Sequence, residues 1–167
     1  AEVFREKQGI DLRTGHRVES IDAGARRVKG RAWNGQDFEM SYDDLLIATG
    51  ASPLIPDRTG FELPGVMAIK SLEDGRRIKR HLTASRVRRA VILGMGYIGL
   101  EMCEALRARG IDVDMVKPGP VLLPWMNPEL AAMVEKELEA NRVALYPGHS
   151  IERIEKADGR LRVVSQG

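Results

Sequence analysis

Ala90-Val-Ile-Leu-Gly94-Met95-Gly96-Tyr97-Ile98-Gly99-Leu100-Glu101 is the stretch on which the fold turns. A short apolar run leads into three glycines spaced G-x-G-x-x-G, and a helical pattern follows to Arg109. Glycine spacing alone is a weak signal. Between a strand and a helix, inside a βαβ unit of about 30 residues, it marks a dinucleotide-binding turn. Each glycine has its own reason. Gly94 permits the tight turn, Gly96 lets a pyrophosphate approach the backbone, and Gly99 lets helix and strand pack closely. The helix start offers unpaired N–H groups and a partial positive charge to phosphates. The alternative is a glycine turn of an α/β protein that holds no ligand.

Working outward, Arg89–Leu93 and Asp112–Val116 read as strands around that helix. Asn127-Pro128 opens a second helix to about Ala140, since Asn suits the N-cap and Pro the first helical position. Val143–Tyr146, Ser150–Ile154 and Arg160–Val164 read as short strands. Upstream, Ser71 opens a helix with Asp74 at capping-box spacing. Leu72, Ile78 and Leu82 give it a partial apolar stripe; Arg76, Arg77, Lys79 and Arg80 form its solvated face. Pro53, Pro56, Gly60, Pro64 and Gly65 make residues 53–70 a connector. Before it, Ala1–Gln8 reads as a helix end stopped by Gly9. Ile10–Leu12 and Val18–Ile21 read as strands. Arg26–Trp33 and Gln36–Tyr42 form a hairpin about Asn34-Gly35. Leu45–Ala48 reads as a strand buried on both faces. Strands alternating with helices predict an α/β, Rossmann-like fold: a parallel sheet with antiparallel meander or hairpin additions.

The chain also echoes itself. Residues 9–22 (Gly9-Ile-Asp-Leu-Arg-Thr-Gly-His-Arg-Val-Glu-Ser-Ile-Asp22) align without a gap on residues 142–155 (Arg142-Val-Ala-Leu-Tyr-Pro-Gly-His-Ser-Ile-Glu-Arg-Ile-Glu155). Gly15-His16 falls on Gly148-His149, and Val18 on Ile151. The echo predicts two similar nucleotide-binding units.

Composition narrows the function classes. The 167 residues hold 26 Lys+Arg and 24 Asp+Glu, and the basic ones are scattered, so no nucleic-acid footprint is expected. A single cysteine excludes an internal disulfide or redox dithiol and a Cys-based zinc site within this sequence. Cys103 reads as a small buried apolar group. His16, His81 and His149 show no metal-ligand spacing, and no metal is expected. The longest apolar run, Ala90–Leu100, falls far short of the roughly 20 residues that cross a bilayer. With no leader-like start, a cytoplasmic location and no membrane partner are expected.

An acid at the end of the second strand would bind the ribose 2′-hydroxyl of NAD. Here that position is Lys117. An ammonium attracts the 2′-phosphate that a carboxylate repels, so Lys117 leans the reading towards NADPH. Asp114, three residues earlier in the strand, reads as too deep to serve. A solvated strand-end lysine is the plainer reading of Lys117, and the choice between NADH and NADPH stays open.

These residues resemble a known family. Val91–Met102 looks like the NAD(P)H motif of FAD-dependent pyridine nucleotide-disulfide oxidoreductases. Tyr42-Asp-Asp-Leu-Leu-Ile-Ala-Thr-Gly-Ala-Ser-Pro53 looks like their second FAD motif. Leu63–Val66 with Ser71–Asp74 is similar to the segment joining their two nucleotide domains. Leu122–Pro124 and Pro128-Glu129 fit the stretch after the second strand. The resemblance runs in order over nearly the whole chain. It is nearest the NADH oxidase, NADH peroxidase and coenzyme A-disulfide reductase branch, with ferredoxin and rubredoxin reductases as relatives.

The resemblance implies a site. Gly94, Gly96, Tyr97, Ile98, Gly99, Glu101, Lys117 and Ile151 would line NAD(P)H. Val18, Thr49, Gly50 and Ala51 would lie against FAD. Tyr97 matches a residue that covers the flavin until the nicotinamide arrives, and Glu101 an acid near the nicotinamide; these two are the catalytic candidates. Their plainer readings are an aromatic packed on the sheet and a helix-start acid that complements the dipole. On this reading residues 1–52 close an FAD-binding domain, 53–85 connect, and 86–167 belong to an NAD(P)H-binding domain lacking its last strand. The chain starts at Ala1 and lacks the family's first FAD glycine motif, redox cysteine and dimerisation domain. A central piece of a longer, homodimeric flavoenzyme is therefore expected. Its electron acceptor would be a disulfide, peroxide, dioxygen or redox protein. A non-catalytic NAD(P)-binding module is the rival reading.

Overall fold

The computed structural model of the protein describes residues 2–167. It divides into two compact units, Ala1–Gly50 and Ala51–Gly167.

In the first unit, α1 (Glu2–Gln8) precedes an antiparallel meander of β1 (His16–Asp22), β2 (Arg27–Ala32) and β3 (Asp37–Ser41). The Asn34-Gly35 turn joins β2 to β3, with Gly35 at φ +85°. Val28 is the only buried hydrophobic residue described in this unit. Two expectations fail here. Ile10–Leu12 and Leu45–Ala48 are not strands. A strand exists through its ladder, and among the described residues no neighbour pairs with either segment. Leu46 accordingly stands 88% exposed where burial on both faces was expected.

In the second unit, α2 (Leu72–Ala84) begins as its caps dictate. Ser71 Oγ accepts from the Asp74 backbone N–H, and the Asp74 carboxylate accepts from the Ser71 N–H at 2.9 Å. Leu82 packs against the core, whereas Leu72, also expected on the apolar stripe, is exposed. A parallel sheet then takes the order β4 (Arg89–Leu93), β5 (Asp112–Lys117), β6 (Ala144–Pro147). Two helices connect these strands: α3 (Tyr97–Arg107) joins β4 to β5, and α4 (Pro128–Ala140), capped by Asn127, joins β5 to β6. Met95, Cys103, Leu106, Ile111, Val113, Met115, Leu122, Leu123 and Val143 form the core. Burying Met115 completely is worth about 1.5–3 kcal/mol. An antiparallel hairpin of β7 (Ser150–Ala157) and β8 (Arg160–Gln166) follows. The connector lies along it: Ile154 N–H donates to Thr59 O, and a Cβ on Gly60 would sit 1.7 Å from Ile154 O.

The echoed segments share their geometry. Gly9 and Arg142 each follow a helix at positive φ, and Gly15 and Gly148 take positive φ ahead of β1 and β7. His16 Nδ1 donates to Thr14 O and His149 Nδ1 to Pro147 O, each at 2.9 Å. Both hairpins shift register at the matching place, between Val18 and Ser20 and between Ile151 and Arg153.

Candidate functional site

Ligands of open α/β sheets bind beyond the carboxyl ends of the strands. The glycine turn sits at that end of β4. Gly94 takes φ +116°, and its N–H donates to Val116 O at 2.8 Å, so the turn is tied to the end of β5. Met95 tucks into the core between the first two glycines. Gly99 packs α3 on the sheet: a Cβ there would lie 2.5 Å from Gly94 O and 3.4 Å from Met115 Cε. Gly96 is the N-cap of α3, without any side-chain cap, and a Cβ built on it meets nothing within 4 Å. The first intrahelical bond runs from Leu100 N–H to Gly96 O, which leaves the N–H groups of Tyr97, Ile98 and Gly99 without an intrahelical acceptor. Open space beside uncapped donors at a helix start is what an anionic pyrophosphate needs.

The flanking residues behave less uniformly. Tyr97 does not pack on the sheet, as its plainer reading had it. It is 60% exposed, and its hydroxyl accepts the indole N–H of Trp125 at 3.0 Å. Ile98 and Glu101 are also exposed. Glu101 is the fifth residue of α3, beyond the first turn where a dipole role is strongest.

Lys117 closes β5, but its ammonium donates to Val121 O at 2.5 Å and Leu122 O at 3.2 Å. It staples the loop after β5. Asp114 forms a bidentate pair with Arg89, at 2.8 and 2.9 Å, and its side chain is 14% exposed. The guanidinium is correspondingly held above its ordinary pKa, first by that hydrogen bond.

Ile151 is half-buried beside the β7 bulge, and its carbonyl accepts from the Arg58 guanidinium. Its counterpart Val18 is exposed on β1. Thr49, Gly50 and Ala51 are exposed and irregular, with Gly50 at φ +75° and open space where its Cβ would be. Cys103 is buried, and burial pushes its thiol pKa up. The sequence reading missed Trp125. The only sign of it was a tryptophan in the loop after the second strand.

All 167 residues match the family described as pyridine nucleotide-disulphide oxidoreductase. The chain belongs to that family. An NADH oxidase of Methanocaldococcus jannaschii is 35% identical over 154 residues, covering 92% of this chain and 34% of that protein. A CoA-dependent NAD(P)H sulfur oxidoreductase of Pyrococcus abyssi is 37% identical over 167 residues, covering 98% and 36%. A solved NAD-dependent persulfide reductase from A. fulgidus superposes with TM-score 0.83 at 31% identity, over 98% of this chain and 30% of that one. The chain thus spans about a third of the family members it matches. The Rossmann-like α/β architecture, with antiparallel additions to a parallel sheet, is shared with these oxidoreductases. Among the described residues no helix is long and apolar enough to cross a membrane.

Proposed function

We propose that this chain supplies the NAD(P)H-binding unit, and the closing part of the FAD-binding domain, of a flavoprotein oxidoreductase. One observation carries the reading: the open face of Gly96 beside the uncapped start of α3. Gly94 shapes the turn, and the N–H groups of Tyr97, Ile98 and Gly99 hold the pyrophosphate. Tyr97 and Glu101 lie beside the nicotinamide. Lys117 and Ile151 line the rest of the dinucleotide path. Val18 through its backbone, and Thr49, Gly50 and Ala51 through close approach, line FAD; the open left-handed turn at Gly50 fits a planar ring drawn near the backbone. The chemistry a bound flavin supplies is acceptance of hydride from reduced nicotinamide, with the electrons passing on to a disulfide, peroxide or dioxygen. The chain's own work is to bind, orient and shield.

The domain reading follows: residues 1–52 complete an FAD domain, 53–85 connect, and 86–167 bind the dinucleotide. The scarcity of buried side chains in the first unit supports it, because a three-stranded sheet needs an apolar face covered. For the nucleotide we favour NADPH. The strand end carries an ammonium, and the carboxylate that precedes it in β5, Asp114, is committed to Arg89. A 2′-phosphate offers Lys117 a stronger acceptor than two carbonyls do.

A second reading, a binding module without catalysis, rests on the second unit having a core of its own. Absorption spectra separate the two. Purified protein with flavin bands that NADPH bleaches anaerobically supports the oxidoreductase. Colourless protein that takes up no FAD, yet binds NADPH, supports the module.

A further inference from the structure

The contact between Tyr97 and Trp125 joins two parts of the chain that the glycine motif does not explain. Their rings lie 5.6 Å apart at 55°, and the indole N–H donates to the phenol oxygen at 3.0 Å. Neither ring belongs to the core: Tyr97 is 60% exposed and Trp125 58%. Tyr97 follows the turn at the carboxyl end of β4. Trp125 sits on the loop leaving the carboxyl end of β5, and β4 and β5 are neighbours in the sheet.

The two rings therefore bridge the exits of adjacent parallel strands, where a dinucleotide must lie if its pyrophosphate rests on α3. The loop itself cannot drift. Leu122 and Leu123, buried at 2% and 1% exposure, anchor it in the core. Trp125 is thus presented from a fixed base, and the hydrogen bond to Tyr97 is the part free to open.

We propose that Trp125 is a positioning residue: its indole N–H latches the Tyr97 phenol across the mouth of the nucleotide crevice, and dinucleotide binding opens the latch. The idea rests on the dinucleotide reading above. A neutral hydrogen bond between exposed groups nets about 0.5–1.5 kcal/mol, so holding the latch shut weakens nucleotide binding roughly 2- to 12-fold. That is strong enough to set the resting position of Tyr97 and weak enough for a dinucleotide to displace.

The test uses the intrinsic fluorescence of Trp125. The chain has two tryptophans, so Trp33→Phe, in the other compact unit, leaves Trp125 as the sole indole. In that background NADP⁺ is titrated into the purified protein, into Tyr97→Phe, and by calorimetry into Trp125→Phe and the double variant. Each single variant keeps a ring and loses one partner of the hydrogen bond. The latch predicts that each binds 2- to 12-fold more tightly, with no further gain in the double variant. It also predicts that saturating NADP⁺ moves Trp125 emission to that of ligand-free Tyr97→Phe. Unchanged or weaker binding in the single variants, or unmoved Trp125 emission, overturns the latch and leaves the dinucleotide reading standing. If the parent protein binds neither NADP⁺ nor NAD⁺, both fall.

Discussion

Alanine at Gly96 and alanine at Gly99 should fail in opposite ways. At Gly96 the backbone is extended (φ −90°, ψ −176°), and the new methyl meets no atom within 4 Å. The fold loses only the preference for glycine over alanine at an N-cap, under about 1 kcal/mol. The methyl does occupy the face where a pyrophosphate would approach, and binding of NADPH should weaken at least tenfold, about 1.4 kcal/mol. At Gly99 the methyl would sit 2.5 Å from Gly94 O, a backbone atom whose residue is itself hydrogen-bonded to β5. Helix α3 must then lift off the sheet. Overpacking of this kind costs up to about 3 kcal/mol. Alanine recovers about 1 kcal/mol of helix propensity. The net loss is about 2 kcal/mol, or some 4–8 °C in Tm for a chain of this size. Thermal unfolding by circular dichroism and calorimetric titration with NADPH measure the two effects separately. A Gly96→Ala protein that binds normally, or a Gly99→Ala protein as stable as the parent, would refute the division of labour assigned to the glycines.

Three further outcomes are expected. Lys117→Glu should move preference from NADPH towards NADH by at least tenfold, about 1.4 kcal/mol, while Lys117→Met, which removes the ammonium and with it both the 2′-phosphate contact and the staple to Val121 and Leu122, should weaken NADPH and leave NADH affinity unchanged; an unchanged NADPH/NADH ratio in Lys117→Glu contradicts the assignment. Cys103, 1% exposed and with its pKa raised by desolvation, should resist a disulfide reagent at neutral pH until the protein unfolds, and rapid labelling of the native protein would overturn its packing role. The Asp74 carboxyl is held below its ordinary pKa, first by the Ser71 backbone N–H and then by the Ser71 hydroxyl. A depressed carboxylate adds stability above its unfolded pKa and loses it as pH falls through the folded one. The amides of α2 should therefore lose hydrogen-exchange protection in acid, and Asp74→Asn should flatten that dependence; equal acid sensitivity in both proteins counts against the capping box.

The sequence disclosed most where structure is written locally. The apolar run into Gly94, Gly96 and Gly99 fixed strand, turn and helix because each glycine answers a constraint within a few residues. Ser71 with Asp74 and Asn127 with Pro128 fixed two helix starts for the same reason. The echo of residues 9–22 in residues 142–155 is matched by a register shift that both hairpins share, at Glu19 and Glu152, which the sequence alone did not indicate. What escaped depends on partners distant in the chain. Leu45–Ala48 has the composition of a buried strand, but composition says nothing of a neighbour to pair with. Lys117 was correctly placed at the strand end, whereas the carbonyls that hold its ammonium follow from how the next loop turns. Trp125 meets Tyr97 across 28 residues, and no periodicity connects them.

The central claim is that the start of α3 holds a dinucleotide pyrophosphate. Amide NMR of the protein during titration with ADP-ribose, which carries the pyrophosphate without nicotinamide, tests it directly. The account predicts that the largest shifts fall on the amides of Gly96, Tyr97, Ile98 and Gly99. Shifts that spare these four amides while others move, or no shifts at all at saturating ligand, would contradict it.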